Sequence, residues 1–168
     1  MPTGWSNAAM TYAVNNGYIQ GSNGKLNPQG LATRAQVASI FARVLKLENK
    51  ADLSSYTDVN ASQWYYDDLA KAVDAGLFKG SDNKLRPNDN ITREEVMTII
   101  ARAYDLTGEN ANLSAFTDGS DVSSWAVNAV SALVENGIVN GSNGKLNPKN
   151  NITREEFAQL LYNCQNKF

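Results

Sequence analysis

Ile91-Thr92-Arg93-Glu94-Glu95 is the stretch against which the whole chain can be phased, because it is written three times: Thr33-Arg34-Ala35-Gln36 precedes it and Thr153-Arg154-Glu155-Glu156 follows. In each copy a Thr stands three residues before Glu or Gln and an apolar run comes next, the signature of a capping box opening a helix. The Thr hydroxyl accepts from an N-terminal backbone N–H, while Gln36, Glu95 or Glu156 reaches back to the cap. Directly after the cap come Arg34, Arg93 and Arg154, at the first helical position, where unsatisfied N–H groups already carry partial positive charge. A cation there costs ~0.3 to 1 kcal/mol. Once, that means nothing; three times, it is accounted for if each guanidinium and helix N-terminus jointly face an anion such as a carboxylate or phosphate. The competing reading pairs each Arg with a neighbouring acid.

Composition narrows the classes. The chain has 168 residues, enough to bury on the order of 70% of its unfolded surface without staples. A net charge of -2 argues against a protein that tracks nucleic acid or coats an anionic membrane, so any anion site is local. No apolar run approaches the ~18 residues of a membrane span. Met1-Pro2-Thr3-Gly4-Trp5 does not resemble a signal peptide, so the expectation is a secreted protein without its signal or a piece of a longer one. Cys164 stands alone, which excludes an internal disulfide and a cysteine-based metal site. Histidine is absent, removing Ser-His-acid and Cys-His arrangements and the commonest zinc ligand. Neither metal nor cofactor is expected.

Phasing from Trp5, Trp64 and Trp125 exposes the repeat. A Gly follows at twelve residues (Gly17, Gly76, Gly137) and another at sixteen (Gly21, Gly80, Gly141). Lys25, Lys84 and Lys145 lie at twenty, followed by Leu26, Leu85 and Leu146, then Pro28, Pro87 and Pro148, with the Thr-Arg pairs at twenty-eight and twenty-nine. The first segment of each copy reads as a helix starting around the Trp, with a stripe such as Trp64, Leu69, Ala72 and Val73, ended by its Gly in a left-handed conformation. An apolar pair (Tyr18-Ile19, Leu77-Phe78, Ile138-Val139) tucks beneath a loop of turn formers, and the second helix runs from the capping box. Cys164 falls in register with Val44 and Ala103 and reads as a buried small hydrophobe. Before copies two and three stand Tyr56-Thr57-Asp58 and Phe116-Thr117-Asp118; the first copy lacks this phrase.

Taken together, aromatic-Thr-Asp before a Trp, a Gly-rich loop with Lys-Leu and Pro, and Thr-Arg-Glu-Glu or Thr-Arg-Ala-Gln resemble the S-layer homology domain, usually found in threes. The resemblance implies an all-α protein of three helix-loop-helix repeats in a pseudo-threefold arrangement around a central three-helix bundle, with grooves between neighbouring repeats. The expected repeats are residues 1–46, N-terminally incomplete, 53–104 and 113–168, together one compact module, monomeric as a pseudo-trimer. It also implies non-covalent anchoring of a bacterial surface protein, outside the cell, on secondary cell-wall polysaccharide through terminal pyruvylated N-acetylmannosamine. No nucleic acid or membrane insertion is expected. Carried over by position, Arg34, Arg93 and Arg154 take the ligand carboxylate, with Trp5, Trp64 and Trp125 and the loop glycines Gly21, Gly80 and Gly141 beside it. Leu26, Leu85 and Leu146 depart from the family's usual aromatic, and the first copy has Ala35-Gln36 where the other two have Glu-Glu.

Other readings stand beside these. The Trp residues serve core packing or sugar stacking. Lys25, Lys84 and Lys145 read first as solvated surface and only second as ligands; Asp58 and Asp118 read first as caps of the following helices and only second as partners of sugar hydroxyls. Rival functions are a helical-repeat protein-binding scaffold, peptidoglycan binding, and a carboxylate glycosidase using Glu94-Glu95 or Asp67-Asp68. Adjacent helical residues diverge, so these are poor acid and nucleophile pairs, and a non-enzymatic role is expected. Asp118-Gly119-Ser120-Asp121 does not fit the spaced oxygens of a calcium loop.

Overall fold

The structure, a computed structural model, describes residues 4–108 and 112–168. Among them are six α-helices and no strand: α1 (Asn7–Asn15), α2 (Arg34–Val44), α3 (Tyr66–Asp74), α4 (Arg93–Ala103), α5 (Val127–Glu135) and α6 (Arg154–Lys167). Short 3-10 turns lie at Leu113–Ala115 and Gly119–Asp121. The expected all-α class and the helix-loop-helix order are both present.

Local chemistry sets the boundaries. Thr33 and Thr153 each accept from the N–H three residues on, and Gln36 and Glu156 return a bond to the cap N–H, completing two capping boxes. At Thr92 only half the box forms, since Glu95 instead accepts from the Thr92 hydroxyl at 3.0 Å. The first helices end at Gly17, Gly76 and Gly137, all at φ near 70°. Gly17 N–H donates to Val14 O and Tyr18 N–H to Ala13 O, with the same pair of bonds at Gly76 and Gly137. This is the Schellman closure, and a side chain at that φ would be strained.

The described residues divide between two compact units, one formed by Ala32–Asn90 with α2 and α3, the other holding α1, α4, α5 and α6. Within the first, α2 packs on α3; within the second, α4 packs on α5 and α6 on α1. Each second helix therefore pairs with the first helix of the following copy, and the third copy is followed by the first. Backbone bridges repeat the pattern, with Thr33 opposite Asn90, Thr92 opposite Asn151, and Thr153 opposite Leu31. The helices also differ in depth. α2 and α4 each bury seven of eleven residues, more than one apolar stripe can supply, whereas α1 and α3 bury three of nine. Cys164 is fully buried as expected, and burial raises its thiol pKa to about 12.

The Trp residues do not lead the core stripe. Trp5 and Trp64 are 63% exposed and Trp125 58%, each preceding its helix by two residues. The core is filled instead by residues such as Leu69, Ala72, Val130 and Leu133, and, after the helix-ending glycines, by Ile19, Leu77, Phe78, Ile138 and Val139.

Candidate functional site

Each second helix opens against carbonyls, and this decides what its Arg can do. Arg34 N–H donates to Asp89 O and Ala35 N–H to Pro87 O; Arg93 and Glu94 donate to Asn150 O and Pro148 O; Arg154 and Glu155 donate to Gly30 O and Pro28 O. With the third N–H held by the Thr cap, the exposed helix dipole on which the anion argument partly rested is already satisfied. The correction has a simple cause: the loop of the following copy delivers its own carbonyls to that N-terminus.

The guanidinium groups extend this clasp. Nε of Arg34 donates to Leu85 O at 2.9 Å, Nε of Arg93 to Leu146 O at 2.9 Å, and Nε of Arg154 to Leu26 O at 3.0 Å. A cation at the first helical position thus sits beside a carbonyl-rich loop, which removes the electrostatic penalty. Beyond this shared bond the three differ. The Arg34 guanidinium lies 5.3 Å from the Phe78 ring centroid. Arg93 Nη1 pairs with Glu156 Oε2 at 2.5 Å, with the Arg93 side chain 12% exposed and Glu156 29%. Arg154 donates a second bond to Gln20 O, and burial lowers its pKa.

A cavity of about 690 Å³ collects Trp5, Arg93 and Gly141, three expected ligand residues drawn from three different copies. Ile138, Val139 and Leu160 supply its apolar wall, and Gln29, Asn140, Gln159 and Asn163 supply amides. Glu155 and Glu156 also line it, so the cavity holds one cation and two carboxylates. Glu155 accepts from the Ser6 hydroxyl at 2.6 Å, which fixes the residue next to Trp5. Glu94, the matching residue of α4, is 3% exposed and accepts from Ser123 N–H, Ser123 Oγ and Lys149 Nζ at 2.8 to 2.9 Å. Burial pushes the Glu94 carboxyl up, but these bonds outweigh it and hold its pKa below the usual range. Both glutamates tie a second helix to the approach of the following copy's first helix. Ala35, with only a methyl side chain, has no acceptor to do the same.

The other expected residues are distributed differently. Trp125 lines a smaller cavity of about 380 Å³ with Thr98, Arg102, Asp105 and Asn128. Trp64 meets Tyr65 edge-on at 5.5 Å. Gly80 and Gly141 are approached by the rings of Tyr56 and Phe116, which a Cβ would strike, so these glycines make room for the chain's own aromatic phrase. At Gly21 the nearest atom to a Cβ is instead Lys25 O at 2.9 Å. Lys25, Lys84 and Lys145 are exposed and their backbones close the loop through Ser22, Ser81 and Ser142. Asp58 and Asp118 do not cap the following helices. Asp58 accepts from Leu85 and Arg86 N–H, and Asp118 from Leu146 and Asn147 N–H, at 2.7 to 2.9 Å. Arg86 and Asn147 sit near φ 50°, a left-handed bend whose free N–H groups a carboxylate satisfies better than a distant helix end does. The wall residues Gln159 and Asn163 carried no sequence signal, being single amides at positions not shared by the copies, and Gln29 has an amide counterpart only in Asn88.

Comparisons with known proteins show the family. The sequence model of the S-layer homology domain matches residues 1–38, 55–97 and 115–158. The chain is 41% identical to the surface-layer 125 kDa protein of Lysinibacillus sphaericus over 95% of its own length and 14% of that protein's. It is 31% identical to an amylopullulanase of Thermoanaerobacterium thermosulfurigenes over 97% of the chain and 9% of the enzyme. An S-layer protein of Bacillus anthracis is 28% identical over 98% of the chain and 20% of that protein. The chain thus spans a small part of each of these relatives.

Proposed function

The chain belongs to the S-layer homology family of cell-wall-anchoring domains, and from that premise we propose that it holds a bacterial surface protein on secondary cell-wall polysaccharide by binding an acidic terminal sugar, pyruvylated N-acetylmannosamine. The observation that carries the reading is the convergence of Trp5, Arg93 and Gly141 on one cavity. A pyruvyl ketal presents one carboxylate and one methyl group. Arg93 suits the carboxylate, Ile138, Val139 and Leu160 suit the methyl, the exposed Trp5 ring offers a stacking face, and the amides suit sugar hydroxyls. Micromolar affinity needs about 8.2 kcal/mol, of which one charge-assisted hydrogen bond contributes ~1.5 to 3 kcal/mol. The sugar contacts must therefore supply most of the rest, and a polymer bound at more than one groove gains by avidity. Location at the cell surface and action as an anchor without catalysis follow from the same reading.

The test is calorimetric titration with the methyl glycoside of pyruvylated N-acetylmannosamine beside the methyl glycoside of N-acetylmannosamine. Saturable heat with the first and none with the second is the expected result. Retention on purified wall fractions without any binding of the glycoside would point to another wall ligand, peptidoglycan included, and refute the assignment of the sugar.

A further inference from the structure

We infer that Glu156 occupies the place on the Arg93 guanidinium that a ligand carboxylate takes, so that this one side chain sets how strongly the groove holds an acid. The inference rests on the reading of the cavity as an acidic-sugar site.

The two oxygens of Glu156 have different jobs. Oε1 accepts from Thr153 N–H at 3.0 Å, completing the capping box, while Oε2 lies 2.5 Å from Arg93 Nη1 inside the cavity. The capping job does not need a charge. At the matched position of the first copy, Gln36 accepts from Thr33 N–H at the same 3.0 Å with an amide oxygen. Glu156 is therefore a cap with an additional carboxylate oxygen, and that oxygen is on the cation that the ligand needs. Arg93 is held in place independently, because its Nε is bonded to Leu146 O whatever Nη1 contacts. The cation is thus preorganised and its outward nitrogen is exchangeable. An arriving carboxylate replaces one anion by another and gains less than it would on an unpaired guanidinium, whereas a neutral sugar gains nothing from that exchange.

Glu156→Gln tests this without removing the cap, as Gln36 demonstrates within the same chain. Wild type and E156Q are titrated with the two methyl glycosides named above, and their folding is compared by thermal unfolding. The expected result is at least about tenfold tighter binding of the pyruvylated sugar by E156Q, the factor that ~1.4 kcal/mol represents, with no change toward the neutral sugar. Equal or weaker binding by folded E156Q, with wild type still binding, overturns the inference and leaves the proposed function intact. Binding by neither protein overturns both. A second readout needs no variant: the side-chain carboxyl carbon of Glu156 in the wild type should shift in its NMR spectrum on adding the pyruvylated sugar and stay still with the neutral one. A bound complex with an unmoved Glu156 resonance also overturns the inference.

Discussion

Arg93→Ala should unfold the protein more readily as well as weaken ligand binding. Leu146 is fully buried, its N–H is held by Asp118, and its carbonyl accepts from Arg93 Nε at 2.9 Å. Truncating the Arg removes a charge-assisted bond worth ~1.5 to 3 kcal/mol and leaves a buried acceptor whose desolvation costs ~1 to 3 kcal/mol. These figures overlap, because part of the second is already counted in the first, and ~2 to 4 kcal/mol is the reasonable total. The ion pair with Glu156, in which the Arg93 side chain is 12% exposed, is lost as well and moves the fall toward the upper end of that range. At ~2 to 4 °C per kcal/mol for a chain of this size, Tm falls by about 5 to 15 °C. Thermal unfolding followed by far-UV circular dichroism measures it. Arg34→Ala should behave alike, since Leu85 is equally buried, and Arg154→Ala should fall less at this bond, since Leu26 is half-buried. A Tm change under about 2 °C for Arg93→Ala would refute the clasp. So would the largest fall occurring at Arg154.

Three further outcomes are expected. Trp5→Ala, at an exposed ring, should leave Tm within about 2 °C while weakening the pyruvylated sugar by ~1 to 3 kcal/mol, measured by calorimetry beside thermal unfolding. Glu94 and Asp118 are held below the usual carboxyl range. Because their folded pKa values lie below the unfolded ones, the stability they contribute is complete above about pH 4.5 and is lost as the pH falls through the folded values; urea midpoints should drop in that window, and less steeply in Glu94→Gln. Cys164, its thiol pushed up to about 12, should resist an alkylating reagent at pH 8 until denaturant is added, which a mass-spectrometric time course follows.

Much of the architecture was legible because its signals are local. The capping threonines, helix-ending glycines and buried Cys164 are set by neighbours within a few residues. What the sequence could not express is which copy each element serves. Asp58 reads as a cap because it stands shortly before α3, yet its acceptors point at Leu85 and Arg86, more than twenty residues on. The odd sign of Arg34, Arg93 and Arg154 reads in the sequence as a demand for an anion, whereas each Nε is held in the first place by a neutral backbone carbonyl of the following copy. Glu156 was visible only as a cap, because one of its oxygens is local and the other meets a residue 63 positions away.

The pairing of α6 with α1 has a consequence for how the chain is made. α1 has nine residues, too few to persist alone in water, and its packing partner is the last helix in the sequence. The bonds that tie the first copy's loop and Ser6 to α6 span 128 and 149 positions. A ribosome delivers α1 long before it delivers α6, so α1 must wait, with the apolar residues it turns toward that helix uncovered, until α6 emerges. Loop closure over that distance is slow relative to local helix pairing. During vectorial synthesis, α2 with α3 and α4 with α5 can therefore settle first, and the joining of α1 to α6 is the late event on which completion of this fold depends.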